Sequence, residues 1–125
     1  MSKITIKRVY EPVEKSDGYR VLIDRLWPRG LAKASSHIDE WMKEIGPSNE
    51  LRKWFNHDVE KWQAFRRSYK KELKGSDVVE EIIKLMEKHK HITLLYGAKD
   101  EEHNQAVVLQ KYLKSLTQRK NNFVD

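Results

Sequence analysis

Two short apolar runs constrain this chain more than any other feature. Val21-Leu22-Ile23, inside Tyr19–Asp24, and Ile92-Thr93-Leu94-Leu95-Tyr96 show almost no polar alternation. A strand with one wet face alternates, whereas a continuous apolar run reads as a strand covered on both faces. Between the two runs, from Ser36 to about Lys90, the apolar residues switch to helical spacing. The order strand, strand, helices, strand, helix predicts a single compact layered α/β domain with a small, mainly parallel β-sheet flanked by helices. The domain is expected to span residues 1–117, with a polar C-terminal tail at 118–125.

Within that frame, Ile4–Tyr10 alternates and is rich in β-branched residues, so it reads as a half-buried strand. Only about eight residues lead to the next strand, too few for a helical crossover, so antiparallel pairing or an edge position is expected. Ser36 is expected to cap a short helix carrying Ile38, Trp41 and Met42, and Ser48 a second one with Leu51, Trp54 and Phe55. Asp58 opens the clearest helix, with Val59, Trp62, Phe65, Tyr69 and Leu73 on one stripe and Gly75 as its stop. Asp77 starts another in a capping-box-like pattern with Glu80, and Asp100 is the expected N-cap of the last.

Composition removes several chemistries. The 125 residues include no Cys, which excludes a disulfide framework, zinc ribbon, iron–sulfur cluster or thiol nucleophile and fits a cytoplasmic address. No apolar leader precedes the first strand and no window approaches a membrane span, so no membrane partner is expected. Lys and Arg outnumber Asp and Glu by 25 to 19, a net charge of +6 that favours anionic partners without naming one.

If the two apolar strands are parallel, the loops leaving their carboxyl ends share one edge of the sheet, where open α/β folds bind ligands. That edge would gather Asp24, Arg25 and Arg29 with Lys99, Asp100 and the helix start at Glu101–Asn104. Arg25 and Arg29 offer planar donor forks for phosphate or carboxylate, and the helix start offers free N–H groups. Arg25, Arg29, Lys99 and Asn104 are therefore the expected ligand-binding residues for an anionic small molecule, a nucleotide or phosphorylated metabolite. Asp24 and Asp100 are candidate bases, and His57, between Asn56 and Asp58, a third candidate. The blander readings are that Asp24 and Arg25 pair internally, Asp100 only caps its helix, Trp27 lids the sheet, and His57 belongs to a helix junction. His103 falls near the same edge. No His pair has metal-ligand spacing, so no metal and no cofactor are expected. The basic stretches Arg66–Lys71 and Lys114–Asn122 read as solvated faces ahead of nucleic-acid patches.

The segment Asp17-Gly18-Tyr19-Arg20-Val21-Leu22-Ile23-Asp24-Arg25-Leu26-Trp27-Pro28-Arg29-Gly30 resembles the YeaO-like family of small uncharacterised bacterial proteins, a domain of unknown function. The likeness continues through Trp41, Pro47-Ser48, Leu51-Arg52, Trp54-Phe55, His57-Asp58, Trp62, Phe65, Tyr69 and Glu72-Leu73. It ends on Thr93-Leu94-Leu95-Tyr96 with Ala98, Asp100, Asn104 and Ala106. The resemblance implies a bacterial α/β domain and supports the two-loop site, but it brings no reaction and no catalytic residue. A longer group of relatives is similar around an Asp-x-Arg after a strand and ends its last strand in Cys-His-Arg; this chain has Glu102-His103-Asn104 near there and no Cys.

The reading that follows is an anion-binding protein at the carboxyl edge of the sheet. If it turns its ligand over, hydrolysis or group transfer suits Arg as electrostatic stabiliser and Asp24 or Asp100 as base. The competing reading is a nucleic-acid-associated or regulatory binding module without catalysis. A third, a protein-interaction domain, requires Trp54, Phe55 and Trp62 to be exposed.

Overall fold

The computed structural model describes residues 3–123, with side-chain environments as far as residue 118. Its strands are β1 (Lys3–Arg8), β2 (Tyr19–Leu22), β3 (Glu40–Trp41) and β4 (His91–Tyr96). Its helices are α1 (Lys33–Ser36), α2 (Asn49–Phe55), α3 (Trp62–Lys74), α4 (Asp77–Lys88) and α5 (Gln105–Phe123). The strands form one sheet in the order β1-β4-β2-β3, and all three pairings are parallel. β4 is central: it pairs with β1 from Lys3↔His91 to Arg8↔Tyr96 and with β2 from Tyr19↔Ile92 to Leu22↔Leu95. Among the described residues no helix is long and apolar enough to cross a membrane.

β1 lies at a sheet edge, one of the two expected arrangements, and runs parallel to β4 rather than antiparallel to β2. The link Val9–Gly18 passes from one strand to the other with only a 3-10 turn at Lys15–Asp17. No helix is needed, because about ten extended residues reach some 33 Å while a six-residue strand rises only about 20 Å.

Pleating sorts the side chains to two faces. Ile4, Val21, Ile23, Ile92, Leu94 and Tyr96 join the main core with the apolar stripes of α2, α3, α4 and α5. On the opposite face Val9, Leu22 and Leu95 pack with Trp27, Leu31, Ile38 and Trp41. β2 and β4 are thus covered on both sides, as their unbroken apolar runs require, although irregular segments supply much of the second cover.

The helix expected from Ser36 does not form. α1 is one turn that ends at Ser36, His37 adopts a left-handed conformation at φ 50°, and Glu40–Trp41 becomes a short edge strand. The backbone there finds β2 instead: Asp39 N–H donates to the Arg20 carbonyl, Met42 N–H donates to the Leu22 carbonyl, and the Asp39 carboxylate accepts from Arg20 N–H. A ladder to a buried strand outweighs the weak helix propensity of five residues. Ser48 caps α2 as expected, accepting from Leu51 N–H. Asp58 caps a 3-10 turn at Val59–Lys61 that runs into α3, and Val59 is left exposed. α4 is capped one residue earlier than expected, by Ser76. α5 begins after Asn104, not Asp100, because the Asn104 side chain accepts from Ala106 and Val107 N–H. α5 extends to Phe123, taking in residues expected as tail; residues 124 and 125 lie outside the described residues.

At the amino end of the sheet the second face turns polar. The buried Asp17 carboxylate accepts from Arg20 at 2.5 Å and from Lys7 at 3.0 Å, and its backbone carbonyl accepts from the Thr93 hydroxyl. Burial alone would raise the Asp17 carboxyl, but hydrogen bonds from Glu14 N–H, Lys7 and Arg20 outweigh it and hold the group below its ordinary value. Arg20 spends its other donors on the carbonyls of Ser36 and His37. Gly18 follows at φ 67°, and a Cβ there would stand 2.4 Å from the His91 carbonyl oxygen, so only glycine lets the crossover enter β2. Asp17→Ala is expected to cost about 3 kcal/mol or more in urea denaturation, since it strands two largely buried cations. Because the folded value is depressed, the carboxylate's stabilisation is complete above the unfolded pKa and is lost as the pH falls through the folded one. Gly18→Ala should be at least as damaging, and a near-neutral result for either would show that this end is not tightly held.

Candidate functional site

The carboxyl ends of β2 and β4 do converge. Asp24, just beyond β2, accepts from Gly97 N–H at 2.8 Å and from the side-chain amide of Gln105, so one carboxylate joins both strand ends to the first turn of α5. Gly97 allows this approach: a Cβ there would lie 3.1 Å from the Asp24 carboxylate. Desolvation pushes the Asp24 carboxyl up to about 6, against the opposing effect of those two hydrogen bonds.

A cleft of about 500 Å³ opens over this junction, walled by the Arg25–Arg29 loop, the end of α2 and the start of α5. Four cationic side chains, Arg25, Arg29, Arg52 and Lys53, line it against a single carboxylate, Asp24. They are not equivalent. Arg25 donates to the carbonyls of Pro47 at 2.6 Å and Gly46 at 3.2 Å, which ties its loop to the start of α2. Arg29 is exposed, and its loop is held through its carbonyl, which accepts from the Tyr10 hydroxyl. Among the described residues the buried Nε of Arg52 has no hydrogen-bond partner, an arrangement proteins generally avoid.

Two left-handed residues, Asn56 at φ 43° and His57 at φ 57°, end α2 and bring His57 to the cleft wall. His57 is exposed and its ring touches Phe55. Asn104 lines the cleft but is buried and occupied by capping, its amide also donating to the Asp100 carbonyl. Lys99 is exposed and does not line the cleft. Asp100 stands behind the wall: its carboxylate accepts from Glu102 and His103 N–H and pairs with the His103 ring. The Glu102 bond first, then those to His103, hold the Asp100 carboxyl below its ordinary value. His103, half-buried and edge-on to Trp62, lines the cleft in an orientation Asp100 fixes.

Of the residues expected at this edge, the cleft therefore gathers Asp24, Arg25, Arg29, His103 and Asn104, with Arg25 and Asn104 in structural bonds, and it adds the separate candidate His57. Sequence reading missed Arg52, Lys53 and Gln105. Arg52 had a signal in the motif word Leu51-Arg52, which no strand-end argument connects to Asp24, whereas Lys53 and Gln105 had none. An aromatic stack supports the wall: Phe55 lies 4.2 Å from Phe65 between ring centroids, and Phe65 continues to Trp62 and Tyr69. Phe55 is buried and Trp62 partly so, while Trp54 is exposed, so the face needed for a protein-interaction domain is not assembled from these three. No cluster of three or more His, Asp or Glu suited to a metal occurs among the described residues.

A family model described as "Inactive DUF488-N3 subclade" matches residues 3–124. The chain is 48% identical over 113 residues to the uncharacterized protein YeaO of Escherichia coli, covering 90% of this chain and 98% of that one. Uncharacterized proteins of Mycobacterium tuberculosis and Mycobacterium bovis are each 39% identical over 84 residues, 67% of this chain and 71% of theirs. No solved structure matches.

The raised Asp24 carboxyl gives a signed prediction. Between the unfolded value near 3.8 and the folded value of about 6, the native state holds the extra proton, so this group's contribution to stability falls as pH rises through that window. The loss amounts to roughly 3 kcal/mol by pH 7. Asp24→Asn keeps an acceptor for Gly97 and cannot ionise, so its stability relative to wild type should climb between about pH 4 and pH 7. Parallel curves in urea denaturation would refute the assignment.

Proposed function

Because the chain belongs to the inactive DUF488-N3 subclade, we propose that the cleft binds a small anion, a nucleotide or phosphorylated metabolite, in the cytoplasm and holds it without turning it over. The observation that carries this reading is Arg52: its buried Nε has no partner among the described residues, and it shares a cleft with exposed Arg29 and Lys53. An anion accepting from these groups would meet four cations and one carboxylate, itself partly protonated near pH 6. The volume of about 500 Å³ suits a small ligand.

Binding is favoured over catalysis on chemical grounds. Both Asp24 oxygens are engaged by Gly97 and Gln105, which leaves them poorly placed to take a substrate proton. No Ser or Thr is among the residues lining the cleft, and hydrolysis or group transfer would have to rely on water with His103 or His57 as base.

The test is a thermal-shift series with phosphate, sulfate, nucleotides and sugar phosphates at two salt concentrations, on wild type and on Arg29→Ala/Arg52→Ala. A ligand at a hundred times its Kd adds about 2.7 kcal/mol to stability, so a shift of several degrees with one class of anion is expected, and its loss in a variant that folds normally. No shift with any small anion, or an equal shift in the variant, would remove the proposal. Product released from a bound nucleotide or sugar phosphate would overturn its non-catalytic half.

A further inference from the structure

Away from the cleft, α3 carries Arg67, Lys70, Lys71 and Lys74 at i, i+3, i+4 and i+7, which places four cations on one helical face. Together with Lys111 and Tyr112 of α5 they line a groove of about 680 Å³. This spacing makes every near neighbour on the face a like charge, an unfavourable arrangement on an isolated helix. No acid on α3 offsets it: the helix has one, Glu72, whose carboxylate is turned to the backbone N–H and hydroxyl of Ser48. Among the described residues none of the five groove cations is in an ion pair.

We propose that this α3/α5 groove seats the phosphodiester backbone of a nucleic acid. Arg67 to Lys74 covers one heptad, about 10 Å of helix axis, close to the three steps of about 3.4 Å each that separate four successive phosphates of one strand. Half-buried Tyr112 adds a ring at the groove on which an unpaired base stacks. A lipid surface fits less well. A lipid-inserting role would need protruding apolar side chains, but the groove's own apolar residues, Tyr112 and Leu116, are half-buried against the core, and the exposed large ones, Tyr10, Val13, Leu26, Trp54 and Val59, lie on other elements.

The experiment is fluorescence anisotropy with a short labelled DNA duplex and the matching single strand, on wild type, on Lys70→Gln/Lys71→Gln/Lys74→Gln and on the cleft variant Arg29→Ala/Arg52→Ala. Circular dichroism melts establish that all three fold. Five phosphate contacts predict that duplex affinity falls about 500-fold between about 50 and about 200 mM salt. Two remaining contacts predict a fall of about 12-fold in the groove variant, with weaker binding at low salt. The cleft variant should bind DNA like wild type, which separates this groove from the small-anion site. Absence of DNA binding at low salt, an unchanged salt slope in the groove variant, or equal binding of polyglutamate or phosphatidylserine vesicles would overturn the proposal.

Discussion

Asp17 stands where the crossover, β2 and the amino end of β4 meet, and its carboxylate balances two cations from different strands. Lys7 comes from β1 and Arg20 from β2, while the Asp17 carbonyl accepts from Thr93 on β4. Arg20 then holds the end of α1 through the Ser36 and His37 carbonyls. A parallel sheet without a helix in its first crossover has little else to hold that link in place. This polar cluster does so, and it leaves the apolar half of the same face to Leu22, Leu95 and the tryptophans.

The two ends of the sheet divide the electrostatic work. At the amino end, charges are matched and buried. At the carboxyl end a lone carboxylate, raised by desolvation, sits under a cationic lining, and among the described residues no acid lines the groove on α3 and α5. Nine of the 25 Lys and Arg residues line these two surfaces, against one acid, so the net charge of +6 is concentrated there. Concentrated charge of one sign steers anions far more effectively than the same charge dispersed.

Much of the fold was legible because burial on both faces leaves an unbroken apolar run, and α3 because its stripe repeats at helical spacing. The edge site was legible in outline, since parallel strands must bring Asp24 and the β4 exit together. What failed was local. Ser36–Met42 shows a helical spacing, but Ile38 and Trp41 are instead drawn to the second face beside Leu22, a contact that no window of the sequence contains. Asp100 and Asn104 are both good capping residues, and only the path of the chain decides that Asn104 caps α5. Arg25 had two readings with equal physical warrant; instead of pairing with Asp24 it donates to the carbonyls of Gly46 and Pro47, some twenty residues on, and it still lines the cleft.

The central position of β4 has a consequence for how the chain is made. β1 and β2 are synthesised within the first 22 residues yet do not touch as neighbours; the strand that separates them ends at Tyr96. On a ribosome β1 therefore has no strand partner, and β2 none but the two-residue β3, until β4 has been made. Long-range parallel pairing of this kind is slow and leaves strand edges exposed meanwhile. Until that late segment arrives the two halves of the sheet have no common strand, so closing the sheet waits on β4.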